Sequence, residues 1–468
     1  MARYYVTIVS GDPSRTAAEV AAEAGAEVIR KVRVADGVAA LATDAQIEAL
    51  TAAGNTVYRH ADLAEGRAER LAEVGEGDRY AEALRRLADA ERPYLNVVEV
   101  ESALQVVAAT HPGFTELVTL PHRTWENRAC RAVRVAAELA RARPTVVLAA
   151  GVHAREWGGP DILVSFLERL TAAAAAGAGI SVPGYAVPAA DVERIVAGLD
   201  VVVFPQVNPD GRAYSMRPDG DEMWRTNRRR SPVGGVDVNR NFDWLWDFRR
   251  YFDPRALARG EVSVSDTPGQ DTYHGPDAFS EPETRNVAWL LDRYPTTRFL
   301  VDVHSFSELI LYPWGDDDNQ STAPEQNFRN PAFDGRRGLL AQNGHPDARR
   351  YGEYLDPAHR RHLIEVGERM RDAVETVNGR RYTVQQGAQL YGTSGASDDW
   401  TFARHFLDPT GPVIYPYTIE FGRERPDDVA ASFHPPYAEM ERIIDEVVAG
   451  LLEMCLAGLD LLAAEQLP

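Results

Sequence analysis

Four apolar runs, each delivering a polar residue at its C-terminal end, constrain this chain more than any other feature. They are "TVVLAAGVH" ending at His153, "DVVVFPQVN" ending at Asn208, "RFLVDVHS" carrying His304, and "VIYPYTIE" ending at Glu420. Helical patterns such as "PDILVSFLERLTAAAAAG" and "EPETRNVAWLLDRY" run between them. That alternation predicts an α/β fold: a mixed, mostly parallel twisted sheet with helices on both faces. Ligands of open α/β sheets gather outside the carboxyl ends of the strands, so His, Glu and Asn converging there predict a chemical site.

Within "GVHAREW", His153 and Glu156 stand three residues apart. Spacing alone decides nothing, because 11 His and 70 acids in 468 residues should give about one or two His-x-x-acid pairs by chance. The chain holds four. His362/Glu365 falls on a polar helical pattern, where such neighbours form a solvated face, and His274/Asp277 and His405/Asp408 fall in loop-like surroundings. Only His153/Glu156 closes an apolar run. With His304 it makes two imidazoles and one carboxylate, the three-ligand set that leaves a catalytic zinc its fourth position. Cys130 and Cys455 are the only cysteines, too few for a disulfide framework or a Cys-based zinc site.

A net charge of -20 and a pI near 5.1 make nucleic acid and anionic membranes poor partners, since both repel an acidic surface. The start "MARYYVTIVSGDPSR" lacks a basic, then apolar, leader, and no span of about 20 apolar residues is evident. A cytoplasmic protein is the expectation from these features. Residues 1–62 read as a small βαββαβ unit: strand "RYYVTIVS", helix "RTAAEVAAEAG", strands "AEVIRKVRV" and "GVAALAT", helix "DAQIEALTAAG" with Asp44 as N-cap and Gly54 as stop, strand "TVYRH". Residues 63–92 are Ala/Glu/Arg-rich, as a connecting helix would be, and Pro93 ends them. Residues 93–468 form the second domain, in which 172–190 and 316–350 read as surface excursions.

Seven motifs occur in a fixed order: "GVHAREW", "NPDG" at Asn208, "MWR" at Met223, "VDVNRNF" at Val236, "DVHS" at Asp302, "YGTSGASDDW" at Tyr391 and "YTIEFG" at Tyr417. From about Tyr94 to about Gly450 the chain resembles the zinc carboxypeptidases of the carboxypeptidase A/B type. The resemblance implies one zinc per chain held by His153, Glu156 and His304, with Asp237 fixing the tautomer of His153. It implies an exopeptidase that hydrolyses the C-terminal peptide bond with zinc-activated water. Glu420 would be the general base that takes the water's proton and passes one to the leaving amine. Arg225 would face the developing oxyanion. Asn239 and Arg240 would grip the substrate's terminal carboxylate, Tyr391 would close over it, and Arg155 would stand beside the ligands.

Asp398 matches the residue at the base of the family's side-chain pocket, where an aspartate favours a C-terminal Lys or Arg by charge pairing. Peptide and protein C-termini are thus the implied partners. The leading unit looks like the propeptide of procarboxypeptidases, or else like a permanent accessory domain. The resemblance also admits secretion. Two rival readings share these residues: an amidase or peptidase of the same fold acting on muropeptides, and a non-catalytic module that has kept the fold. The retention of all three ligands and of Glu420 speaks for catalysis.

Overall fold

The computed structural model describes residues 3–32, 34–80, 93–231 and 234–465. Strands β1 (Arg3–Val9), β2 (Glu27–Val28), β3 (Val38–Thr43) and β4 (Thr56–Asp62) form an antiparallel sheet in the order β2-β3-β1-β4. A second sheet holds β5 (Thr115–Thr119), β6 (Arg131–Val135), β7 (Thr145–Ala150), β10 (Asp200–Phe204), β11 (Thr297–Ser305), β12 (Leu309–Tyr312), β13 (Thr383–Gln386) and β14 (Tyr415–Phe421). A short hairpin, β8 (Ile180–Val182) and β9 (Tyr185–Val187), stands apart. The eight strands run β13-β12-β14-β11-β7-β10-β6-β5. Four of their seven pairings are parallel, and β14, β11, β7 and β10 form the uninterrupted parallel centre.

Those four strands are the four apolar runs, buried on both faces as central parallel strands are. Side chains alternate across them with period two. Along β14, Tyr417 reaches the helix Pro357–Asn378 through a hydroxyl bond to the Leu363 carbonyl, while Thr418 donates to Asp398 on the helix Ser397–Leu407. Helices therefore cover both faces. The C-terminal helix Tyr437–Glu465 packs on the helices Pro357–Asn378 and Gly158–Ala176. It is long and apolar enough to cross a membrane by length and composition, contrary to the reading of the sequence. Burial against its neighbours accounts for that apolarity, since Val447, Val448, Leu451 and Cys455 are fully buried.

In the first sheet the two faces have different partners. Val6, Ile8, Ala40 and Ala42 pack on the helices Ala17–Glu23 and Asp44–Ala52. Tyr5, Ala39 and Leu41, with Ile29 and Val32, pack instead on Met223, Phe306, Val429, Ala430 and Phe433. Each Leu, Ile, Val, Phe or Met side chain so buried is worth about 1.5–3 kcal/mol, so this sheet is held onto the larger one by its own second face. The segment that follows is docked too. Arg67 donates to the carbonyls of Arg217, Pro218 and Gly220, and Arg70 makes a two-pronged ion pair with buried Glu222. Burial pushes the Glu222 carboxyl up, but His434 and Arg70 outweigh it and hold it at about 2.

Several local expectations are corrected. The N-cap of the helix Asp44–Ala52 is Thr43, because its hydroxyl and the Gln46 side chain, three residues on, close a reciprocal capping box. Asp44 is the first helical residue. Among its described residues, the strand read over 26–34 pairs only at Glu27–Val28, after which Arg30 and Lys31 leave the sheet. Of the expected connecting helix, the described part contains Arg67–Ala72, and residues 81–92 lie outside the described residues. The stretch 316–350 is not all surface, since Asp316 and Arg337 are buried, Arg337 pairing with Glu353 at 2.9 Å.

Candidate active site

Strand register sets the site. His304 lies opposite Glu420 in the β11/β14 pair, and Val303 lies opposite Ala150 at the end of β7. Gly151 then turns the chain at φ +69°, a conformation costly for any residue with a Cβ. A Cβ there would also crowd Pro160 and Gln206. The turn brings His153 and Glu156 over the end of β11. His153 Nδ1 lies 2.9 Å from Glu156 Oε1, and His304 Nδ1 lies 2.9 Å from Glu156 Oε2 and 3.1 Å from His153 Nδ1. These donor atoms all fall within 4.8 Å of one another, the one such group of three among the described residues.

The far nitrogens are oriented as well. His153 Nε2 meets Asp237 Oδ1 at 3.2 Å, and His304 Nε2 faces Asp302 Oδ2 at 3.1 Å. A carboxylate behind each ring favours a proton on Nε2 and leaves both Nδ1 lone pairs aimed at a shared point beside the Glu156 carboxylate. Two imidazoles and a carboxylate, all buried, fit zinc. The competing histidine pairs do not converge. His274 stacks on Trp246, His362 meets the Tyr415 hydroxyl, and His405 bonds the Phe402 carbonyl.

Asp237 is shared. It accepts from Arg225 Nε at 3.0 Å and caps the turn that follows by accepting from the Asn239 amide. Burial alone would raise its carboxyl, but Arg225 and His153 hold it far below the ordinary carboxylate range. Arg240 is buried, with Nε and Nη1 each 2.5 Å from a carbonyl, those of Ser263 and Asn239. Among the described residues no carboxylate pairs with it. Asn239 fixes the neighbouring loop by accepting from the Ser397 amide. That loop carries Tyr391 and leads into the helix that bears Asp398, and it can close on Arg240 because Gly395, at φ +68°, has no Cβ to strike the Arg240 carbonyl.

Asp398 is buried, with Oδ2 accepting from Thr418 and Oδ1 from the Asp399 amide. Burial pushes its carboxyl up, and no arginine or lysine pairs with it among the described residues. Glu420 is buried beside the metal-fitting group. Burial raises its carboxyl, Lys31 opposing and Glu156 adding to the effect. Arg155 pairs with Glu27 of the first sheet, lies 3.5 Å from Asp271 and stacks over Phe433.

Three participants escaped the sequence reading. Asp302 stands two residues before His304, the strand spacing that shares a face, and Ser397 Oγ holds it at 2.8 Å. Glu27 and Lys31 come from the first sheet, where nothing local marks them as neighbours of a site some hundreds of residues away.

A model of the zinc carboxypeptidase family, peptidase M14, matches residues 100–450. Carboxypeptidase B from Astacus astacus is 28% identical over 284 residues, 59% of this chain and 70% of that protein. Zinc carboxypeptidase A 1 from Anopheles gambiae is 31% identical over 225 residues, 47% of this chain, and the match spans 45% of that relative. Among solved structures, thrombin activatable fibrinolysis inhibitor superposes with a TM-score of 0.68 at 18% identity, over 98% of this chain and 100% of that one, a likeness of fold. Fold and site together define a metallocarboxypeptidase, a hydrolase. The chain belongs to the zinc carboxypeptidase family.

Proposed function

We propose that this chain hydrolyses the C-terminal peptide bond of peptides, using one zinc held by His153, Glu156 and His304, and that it favours basic C-terminal residues. The observation that carries the exopeptidase reading is Arg240: a buried guanidinium next to Asn239 that, among the described residues, makes no ion pair with a carboxylate. Such a cation fits a substrate's terminal carboxylate, and it argues against an amidase whose substrate lacks one. The intact ligand set and Glu420 argue against a binding module that has merely kept the fold.

Bound zinc supplies Lewis-acid polarisation and acidifies water. The chain's own residues do the rest. Glu420 removes the proton of the attacking water and returns one to the leaving amine. Arg225, locked on Asp237, is a fixed cation for the oxyanion. Asn239, Arg240 and Tyr391 hold the terminal carboxylate. The uncompensated Asp398 supports a pocket for Lys or Arg, because a buried acid gains most from an incoming cation.

Residues 1–62 we read as a cap over this cleft rather than a bystander, since Glu27 and Lys31 reach Arg155 and Glu420. The cytoplasmic expectation finds no support among the relatives, and export is the reading we retain. Incubating the protein, supplied with zinc, with a peptide mixture and following masses tests the reaction. Stepwise loss from the C-terminus is expected, with C-terminally amidated copies untouched. Trimming of the amidated peptides would refute the carboxylate clamp.

A further inference from the structure

Lys31 is the only lysine in the chain; every other one of the 50 Lys plus Arg residues is arginine. That one lysine lies on the candidate base. Its side chain is 6% exposed, with Nζ 2.5 Å from Glu420 Oε2 and 2.9 Å from the Ser305 carbonyl. The early end of β2 puts it there: Ile29 still donates to the Ala39 carbonyl, and the next two residues turn out of the sheet. Ion pairs among Arg3, Glu27, Asp221 and Arg155 clamp the turn from one side. The apolar contact of Ile29 and Val32 with Phe306 and Phe433 clamps it from the other.

We propose that Lys31 is a built-in mimic of the product amine, its ammonium taking the place on Glu420 that the amino group of the released residue takes after proton transfer. This rests on the peptidase reading of the site. A general base must be free to accept a proton from water, and its work ends facing the amine it has just protonated. Lys31 presents that final arrangement in advance. A compact ammonium with three donors can serve the Glu420 carboxylate and the Ser305 carbonyl together, whereas a planar guanidinium fork is wider and differently directed.

The contact lies at the edge of an unfilled space rather than inside a filled interface. A cavity of about 720 Å³, lined in part by Arg30, Arg155, Arg225, Asp271 and Tyr391, persists between the two sheets' units. That is ample for a small ligand, since such pockets run to about 300–1,000 Å³. Lys31 itself lines that cavity, so the side chain that pairs with the base borders open space. Turnover by the full chain is thus slowed by one side chain, and moving the 30–32 turn is enough to raise it.

The test uses the full chain, supplied with zinc, and an acyl-dipeptide ending in Arg. Lys31→Met is expected to raise kcat at least tenfold with little change in KM, while retaining the wild-type protease resistance of a docked N-terminal unit. A second full-length variant, Arg3→Ala with Arg70→Ala, loosens docking without touching Lys31. Activation by that variant but not by Lys31→Met would overturn the mimic and leave the cap. No hydrolysis by any form would overturn the peptidase reading itself. Amine labelling gives a readout independent of turnover, because intact mass reports one ε-amine besides the N-terminus. Lys31 should be protected in the wild type and labelled faster in Glu420→Gln, and equal, rapid labelling in both would contradict the contact.

Discussion

Glu420→Gln, placed in the Lys31→Met background so that the base is otherwise free, is expected to cut kcat by about 10²–10⁴-fold, the usual worth of a positioned proton-transfer group. The amide keeps the shape of the carboxylate but cannot take a proton from water. KM should change little, because the residues proposed to hold the substrate, Asn239, Arg240 and Tyr391, lie on the turn after Asp237 and on the loop before the helix Ser397–Leu407. Single-turnover measurement with a chromogenic acyl-dipeptide reads the effect. Turnover unchanged in the variant would remove Glu420 from the chemistry.

The second large effect lies in the pocket. Asp398→Leu is expected to lower kcat/KM for a C-terminal Arg by roughly 10³-fold or more, since a site built around a polar partner discriminates steeply once that partner is gone. Turnover of a C-terminal Phe or Leu should rise. The substitution removes a carboxylate that is buried without a lysine or arginine partner among the described residues, at the cost of one bond from Thr418 on β14 and one from the Asp399 amide. Equal Arg and Phe turnover in the parent chain, unaltered by the change, would show that another residue sets the preference.

Much of this was legible in the sequence because β-strands turn linear pattern into position. Four apolar runs with polar ends became four adjacent parallel strands, and register alone put His304 beside Glu420. Asp302 follows the same principle, two residues from His304 on the same face of β11, but only the folded contact with the far nitrogen of His304 gives it a role. What the sequence hid was tertiary. The segment 26–34 has the β-branched and apolar residues of a strand, yet among its described residues only Glu27–Val28 pair. Contacts with Arg155, Glu420, Phe306 and Phe433 outweigh the remaining ladder bonds. The C-terminal helix likewise looks unremarkable residue by residue, and its apolarity is explained by the helices Pro357–Asn378, Gly158–Ala176 and Ala189–Gly198 packed against it. Lys31 did carry a sequence signal, its uniqueness in an arginine-rich chain, but uniqueness names no partner.

The claim on which the rest depends is that His153, Glu156 and His304 hold one zinc. Elemental analysis of the purified chain after dialysis against zinc, set beside the His153→Ala/His304→Ala double variant, addresses it directly. About one zinc per wild-type chain, and almost none in the folded double variant, is the result expected of a buried three-ligand site. A wild-type chain that neither carries nor rebinds zinc, or a double variant that holds as much as the parent, would contradict it.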